Sequence, residues 1–199
     1  MGGLYDAGPQ SGGRRPAPGR LALAQAFVNS FFDLGPRRWA DHFATREGLA
    51  AWLEARGLVA AGVDAAELRR AVAVREGLRA QLREHNGMPR DEDAVAALRA
   101  AADGLPVSMR VDAEGRTEPG PVGPGVPAAL GLVMAVVHES RGNGSWERLK
   151  SCPGRHCGWA FYDQSPNQMS TWCSMRVCGG REKARRYRRR SARVDRILE

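Results

Sequence analysis

The sequence predicts an α+β fold that is mainly α-helical: a helical N-terminal domain with a small β-hairpin, followed by a small C-terminal module that ends in a basic helix. Three observations predict it. Apolar residues recur at helical spacing through most of residues 21–140, with capping residues at the segment starts. One stretch, "PVSMRVDAEGRTEP", alternates instead and contains a turn. All four cysteines fall within residues 152–178, directly before a run of arginines.

Residues 1–19 are rich in Gly, Pro and Arg and are expected to be a disordered lead. From Leu21 to about Asp33, Leu23, Phe27 and Phe31 share a helical face, and Gly35-Pro36 ends the segment. "ATREGLAAWLEARGL" predicts a short helix capped by Thr45, with Glu47 in the first turn, Gly57 past its end, and Leu49, Trp52 and Leu53 entering the core. Asp64 and Glu67 form a capping box for a longer helix. Leu68, Val72, Leu78 and Leu82 are its apolar stripe, and Asn86-Gly87 stops it. A helix follows over Asp91 to Ala102, then the hairpin with Val107, Met109 and Val111 alternating. A Gly/Pro cluster leads to an apolar helix at about 127–140. "RGNGS" is the expected hinge, so the domains are placed at 20–142 and 146–199.

The chain is 199 residues long, 43% hydrophobic and 26% charged, which excludes a disordered chain and leaves room for one core plus a small module. Its net charge of +8 is unevenly spread. Residues 1–145 hold 17 basic and 17 acidic residues, whereas residues 146–199 hold 13 and 5. A neutral body with a basic end points to an anionic partner, nucleic acid first; a solubilising tail is the plainer reading. No stretch approaches the ~20 apolar residues of a membrane span, so no membrane partner is expected. The arginine-led start resembles a secretory signal only superficially, because Gln25 and Asn29 interrupt its apolar run. Cysteines confined to one short segment fit a metal site in a reducing compartment, and a cytoplasmic location is expected.

The spacing is Cys152-x4-Cys157, fifteen residues, then Cys173-x4-Cys178. Two close pairs joined by a short loop suit one tetrahedral Zn²⁺, each pair forming a tight turn that aims two sulfurs at the ion. Two disulfides or an iron–sulfur cluster are the alternatives. His156, beside Cys157, is a weaker ligand candidate than the four thiolates. Four thiolates leave no open position for water, so the zinc is structural rather than catalytic. Trp159, Phe161, Tyr162 and Trp172 supply a small aromatic core, with a strand over Trp159 to Tyr162. No nucleophile–base pair, phosphate loop or open metal site is evident, and an enzyme is not expected.

Nine basic residues follow between 181 and 196 on a segment compatible with a helix. Arg181, Lys183, Arg185, Arg186, Arg188, Arg189, Arg190 and Arg193 are the candidate nucleic-acid contacts, and Tyr187 is the expected docking point on the zinc core. Against a phosphate backbone such a helix releases counterions and binds strongly. The reading is a DNA-binding regulator whose zinc module presents this helix. The alternatives are a zinc-stabilised protein-interaction module and an RNA binder without sequence-specific DNA binding. The N-terminal domain would sense a small-molecule effector or form a homo-oligomer, an expectation resting on analogy with two-domain regulators.

The segment "RLKSCPGRHCGWAFYDQSPNQMSTWCSMRVCGGREKARRYRRR" resembles the CGNR zinc finger. It carries Arg148-Leu149-Lys150 before the first cysteine, then Trp159, Phe161, Asp163 and Ser165 at alternate positions, Trp172-Cys173-Ser174-Met175, and Cys178-Gly179 before Arg181. "FVNSFFD" and "EGLAAWLEARGL" are similar to the ABATE domain that usually precedes this finger. The resemblance implies a stress-associated bacterial transcription regulator with one zinc ion. Two departures stand out. Gly180 replaces the motif asparagine, and Pro166, Met169, Ser170 and Thr171 occupy a loop where the family tends to carry arginines. The turn should survive the first, since Gly and Asn both tolerate left-handed backbone.

Overall fold

The first strongly apolar segment, α1 (Leu21–Val28), is buried along its whole length, and that makes it the central helix. α3 (Ala65–Glu84) and α5 (Val126–Gly142) pack on it, α2 (Arg46–Glu54) meets it through Trp52 against Phe27, and α4 (Glu92–Ala102) lies against α3, in a computed structural model that describes residues 3–35, 38–58 and 62–198, with side chains up to Arg189. The caps at Thr45 and Asp64 are those the sequence predicts, and Asp91 adds a third. Thr45 accepts from the Gly48 N–H, Asp64 and Glu67 form the reciprocal box, and Asp91 accepts from Ala94. The core joins Leu23, Phe27, Leu49, Leu78, Leu82, Leu130 and Val133, with Phe27, Phe43 and Trp52 in mutual ring contact at 5.4–5.7 Å. Gly77 lets α4 lie close, because a Cβ there would collide with Leu98.

Three antiparallel strand pairs complete the described residues: β1 (Phe31–Asp33) with β2 (Trp39–Asp41), β3 (Ser108–Val111) with β4 (Thr117–Gly120), and β5 (Leu149–Ser151) with β6 (Ala160–Tyr162). Registers are Phe31↔Asp41, Ser108↔Gly120 and Leu149↔Tyr162. The predicted hairpin is present as β3–β4, yet its alternating Val107, Met109 and Val111 face outward.

One element differs from expectation. The first helix ends at Val28, not near Asp33, and Phe31–Asp33 is a strand. The reason is local. Arg79 from α3 donates to the carbonyls of Val28 and Phe31, and the Asn29 side chain is held by Ala160. Arg79 thereby takes up two carbonyls that a continuing helix would bond to later N–H groups, while the Asn29 side chain anchors the turn. Pro36, expected to help end the segment, lies outside the described residues.

The lead is also more ordered than expected over residues 3–19. Ala17 and Ser11 are buried, Ala17 N–H donates to the Gln25 side chain, and residues 11–13 form a short 3-10 turn. Beyond the expected hinge, Trp146, Leu149 and Ala160 belong to the same apolar core as α1, α3 and α5.

Candidate metal centre and basic helix

The β5–β6 hairpin is gripped from below. Gln25 and Asn29 of the α1 end donate to the Ala160 carbonyl at 3.1 and 2.9 Å, and Ala160 N–H returns to Asn29 at 2.7 Å. At the end of α3, the His85 ring nitrogen lies 2.9 Å from the Leu149 carbonyl, and Asn86 donates to Ser151 and Thr171. Burial pushes the His85 pKa down, so the ring stays neutral and donates to that carbonyl. A second clamp is the buried ion pair of Lys150 with Asp163 at 2.9 Å. Burial alone would raise the Asp163 pKa. The Ser165 hydroxyl, Lys150 and the Ser165 and Ser170 amides outweigh it and hold the carboxyl well below the usual carboxylate range. Lys150 also donates to the Gln168 carbonyl, so this pair fixes the loop between the cysteine pairs.

On this frame sit Cys152, Cys157, Cys173 and Cys178, all buried and none disulfide-bonded. Their sulfurs lie within 4.8 Å of one another, with Cys157–Cys173 at 3.8 Å and Cys173–Cys178 at 3.7 Å. A tetrahedron with metal–sulfur bonds of about 2.3 Å has edges of about 3.8 Å. A disulfide would need about 2.05 Å, and an iron–sulfur cluster would spread the sulfurs round several irons. The residues present therefore fit one zinc ion that closes its own coordination sphere and shapes the module. His156 is exposed in a left-handed turn with φ 66° and stands apart from the sulfur cluster. Gly154 suits the close approach here, since a Cβ would lie 3.0 Å from the Cys178 sulfur and crowd it.

The N-terminal lead closes over this centre. The Ser11 hydroxyl donates to the Cys173 sulfur at 3.6 Å, as outer groups around metal ligands commonly do. Arg14 donates to the carbonyls of Cys173 and Trp172 at 2.8 and 3.0 Å and lies over the Phe161 ring. Composition hid these residues. Gln25 and Asn29 had a usable signal: polar side chains on an apolar face must find buried partners.

Cys178 sits on a π-helical turn, Met175–Gly179, that runs directly into α6 (Gly180–Leu198). Gly180 has φ −62°, ψ −42°, so this position is right-handed helix and the expected left-handed turn is corrected. Arg181 donates to the Leu34 carbonyl at 2.9 Å and ties the start of α6 to the β1–β2 hairpin. Glu182 pairs with Arg185 at 3.1 Å and with Arg186 at 3.6 Å. Lys183, Arg186, Arg188 and Arg189 are exposed. The side chains of Arg190 and Arg193 lie outside the described residues, although their backbone is helical. Tyr187, expected to dock the helix, is 73% exposed, and Arg181 and the π-helical turn tie the start of α6 to the body.

Four clustered sulfurs beneath a basic helix define a zinc-finger protein. Residues 148–191 match the CGNR zinc finger, and residues 21–140 match ABATE, described as "Putative stress-induced transcription regulator". The latter match spans more than half of the sequence, and the chain belongs to the ABATE family: a zinc-binding, regulator-like protein with a C-terminal CGNR finger. No curated protein matches the sequence. Among the described residues no helix is long and apolar enough to cross a membrane.

Proposed function

We propose that the protein is a DNA-binding transcription regulator in which Cys152, Cys157, Cys173 and Cys178 hold one structural zinc and α6 lies along the phosphate backbone. One observation carries the reading: Arg188 and Arg189 are exposed with no ion-pair partner among the described residues, on a helix that leaves the body straight from the sulfur cluster. Unpaired guanidiniums on a free helix repel one another and gain most from a phosphate partner. Arg181 and Arg185 are partly committed within the protein, to Leu34 and Glu182, and Arg186 lies 3.6 Å from Glu182 while remaining exposed. Lys183, Arg186, Arg188, Arg189, Arg190 and Arg193 are the larger share of the contact set.

The test is binding to duplex DNA at rising salt. About five phosphate contacts give a log–log slope near −4 to −5, and each arginine of Arg186, Arg188 and Arg189 changed to glutamine removes about 0.9 from it. A flat response sinks the proposal. Single-stranded RNA as competitor separates the two nucleic acids: RNA displacing DNA at equal concentration moves the assignment to RNA.

A further inference from the structure

A cleft of about 710 Å³ opens where the lead, the β1–β2 hairpin, α2 and the zinc module meet. Its size falls in the range of small-molecule sites, roughly 300–1,000 Å³. The charged side chains in its lining, Arg38 and Arg56, share one sign. Arg38, His42 and Arg56 line it, no carboxylate does, and none of the three has an ion-pair partner among the described residues. Arg56 is the most committed: its guanidinium lies 3.8 Å from the Trp52 ring centroid and donates to the Trp52 carbonyl at 3.1 Å, while its Nε is buried without a partner. Asp6 is near enough to be felt by Arg56, but its Oδ1 accepts from the Gly8 N–H instead. Arg38 is exposed at the cleft and Arg56 is half-buried, so a bound anion would find a charged hydrogen-bond donor in each.

The walls are aromatic. Trp39 projects its indole with 68% of its surface exposed, beside Trp52 and Phe32. Trp159 of the zinc module forms the far wall and meets Phe32 edge-on at 5.0 Å. Nothing in the packing of β2 accounts for an indole left so open next to Arg38. A flat ring laid on Trp39 would cover apolar surface now in water, and an acidic group on that ring would reach the cations.

We propose that this cleft binds a small planar aromatic anion, the ring against the indoles and the acid group at Arg38 and Arg56. The chemistry has two sources, an aryl carboxylate and a nucleoside monophosphate, and the experiment separates them. The zinc-loaded full chain is titrated calorimetrically with 2-naphthoate, its uncharged amide, cyclohexanecarboxylate and AMP.

Naphthoate or AMP binds with one site per chain, and the one that binds more tightly identifies the source. The amide and cyclohexanecarboxylate bind at least about tenfold more weakly than naphthoate, as the loss of a charged hydrogen bond or of a stacked ring predicts. Arg38→Gln and Trp39→Ala each weaken binding about five- to tenfold, whereas Trp39→Phe retains most of it. Arg38 and Trp39 are exposed, so these variants fold, and circular dichroism checks that. Naphthoate and its amide binding equally, affinity unmoved by Arg38→Gln, or no binding of either anion up to about 10 mM overturns the proposal. No arm uses DNA, so its failure is independent of the DNA-binding reading.

Discussion

α3 and α6 are the two longest helices of the molecule, and both are studded with arginine, yet the residue serves opposite ends in them. On α3, Arg75 and Arg79 are 3% and 2% exposed. Arg75 pairs with Asp41 at 2.7 Å and with Glu76 at 2.8 Å. Arg79 reaches Glu76 and the carbonyls of Val28 and Phe31, and burial pushes its pKa down to about 10, so it is still charged at neutral pH. On α6, Arg186, Arg188 and Arg189 stand in solvent. The starts differ too. α3 begins with its own capping box, whereas α6 continues from the π-helical turn that carries Cys178. Arginine buried against carbonyls is architecture, and arginine left in water without a counter-charge is available to a partner. Composition alone does not distinguish the two.

The largest effect that sharpens this contrast is metal removal. Zinc binding in small modules is worth about 10–16 kcal/mol, far more than the apolar surface near the cysteines supplies. Stripping zinc with a strong chelator under reducing conditions should abolish the near-ultraviolet circular dichroism of Trp159 and Trp172 and the helicity of α6. Most far-ultraviolet helical signal, from α1 to α5, should persist. A metal-free, reduced protein with α6 intact would break the contrast. Next comes a paired substitution. Arg79→Ala leaves Glu76 and two carbonyls without their buried partner and should cost about 3–5 kcal/mol in urea unfolding, whereas Arg189→Ala should change stability by less than about 0.5 kcal/mol. Equal effects would erase the distinction. The smallest is Asp64→Ala, which removes the α3 cap for about 1 kcal/mol and leaves the helix folded, because its buried face holds it. The same urea titration reads it, with α3 helicity retained at zero denaturant.

Much of this was legible from residue order. The caps at Thr45 and Asp64 are short-range chemistry, and so is the Cys152/157–Cys173/178 spacing, because each turn is decided by a few neighbours. What escaped was decided at long range. Phe31 continues the helical spacing of Leu23 and Phe27, but Arg79, 48 residues later, claims its carbonyl and leaves it in a strand. β1, β2 and β5 are three residues each, too short for alternation to register. Lys150 and Asp163 gave no sign of being a buried pair, since each alone looks like a surface residue. Arg75 is likewise a buried structural cation in α3, held by Asp41 and Glu76.

The strap over the metal centre bears on how the chain is made. Arg14 and the Cys173 carbonyl it holds are 159 residues apart. At about 5–20 residues per second, ribosomal synthesis separates them by roughly ten to thirty seconds. Through that interval Ser11 and Arg14 have no docking site, and the helices that follow can assemble first. A turn made early is thus among the last to settle, locking in only once Cys173 has emerged.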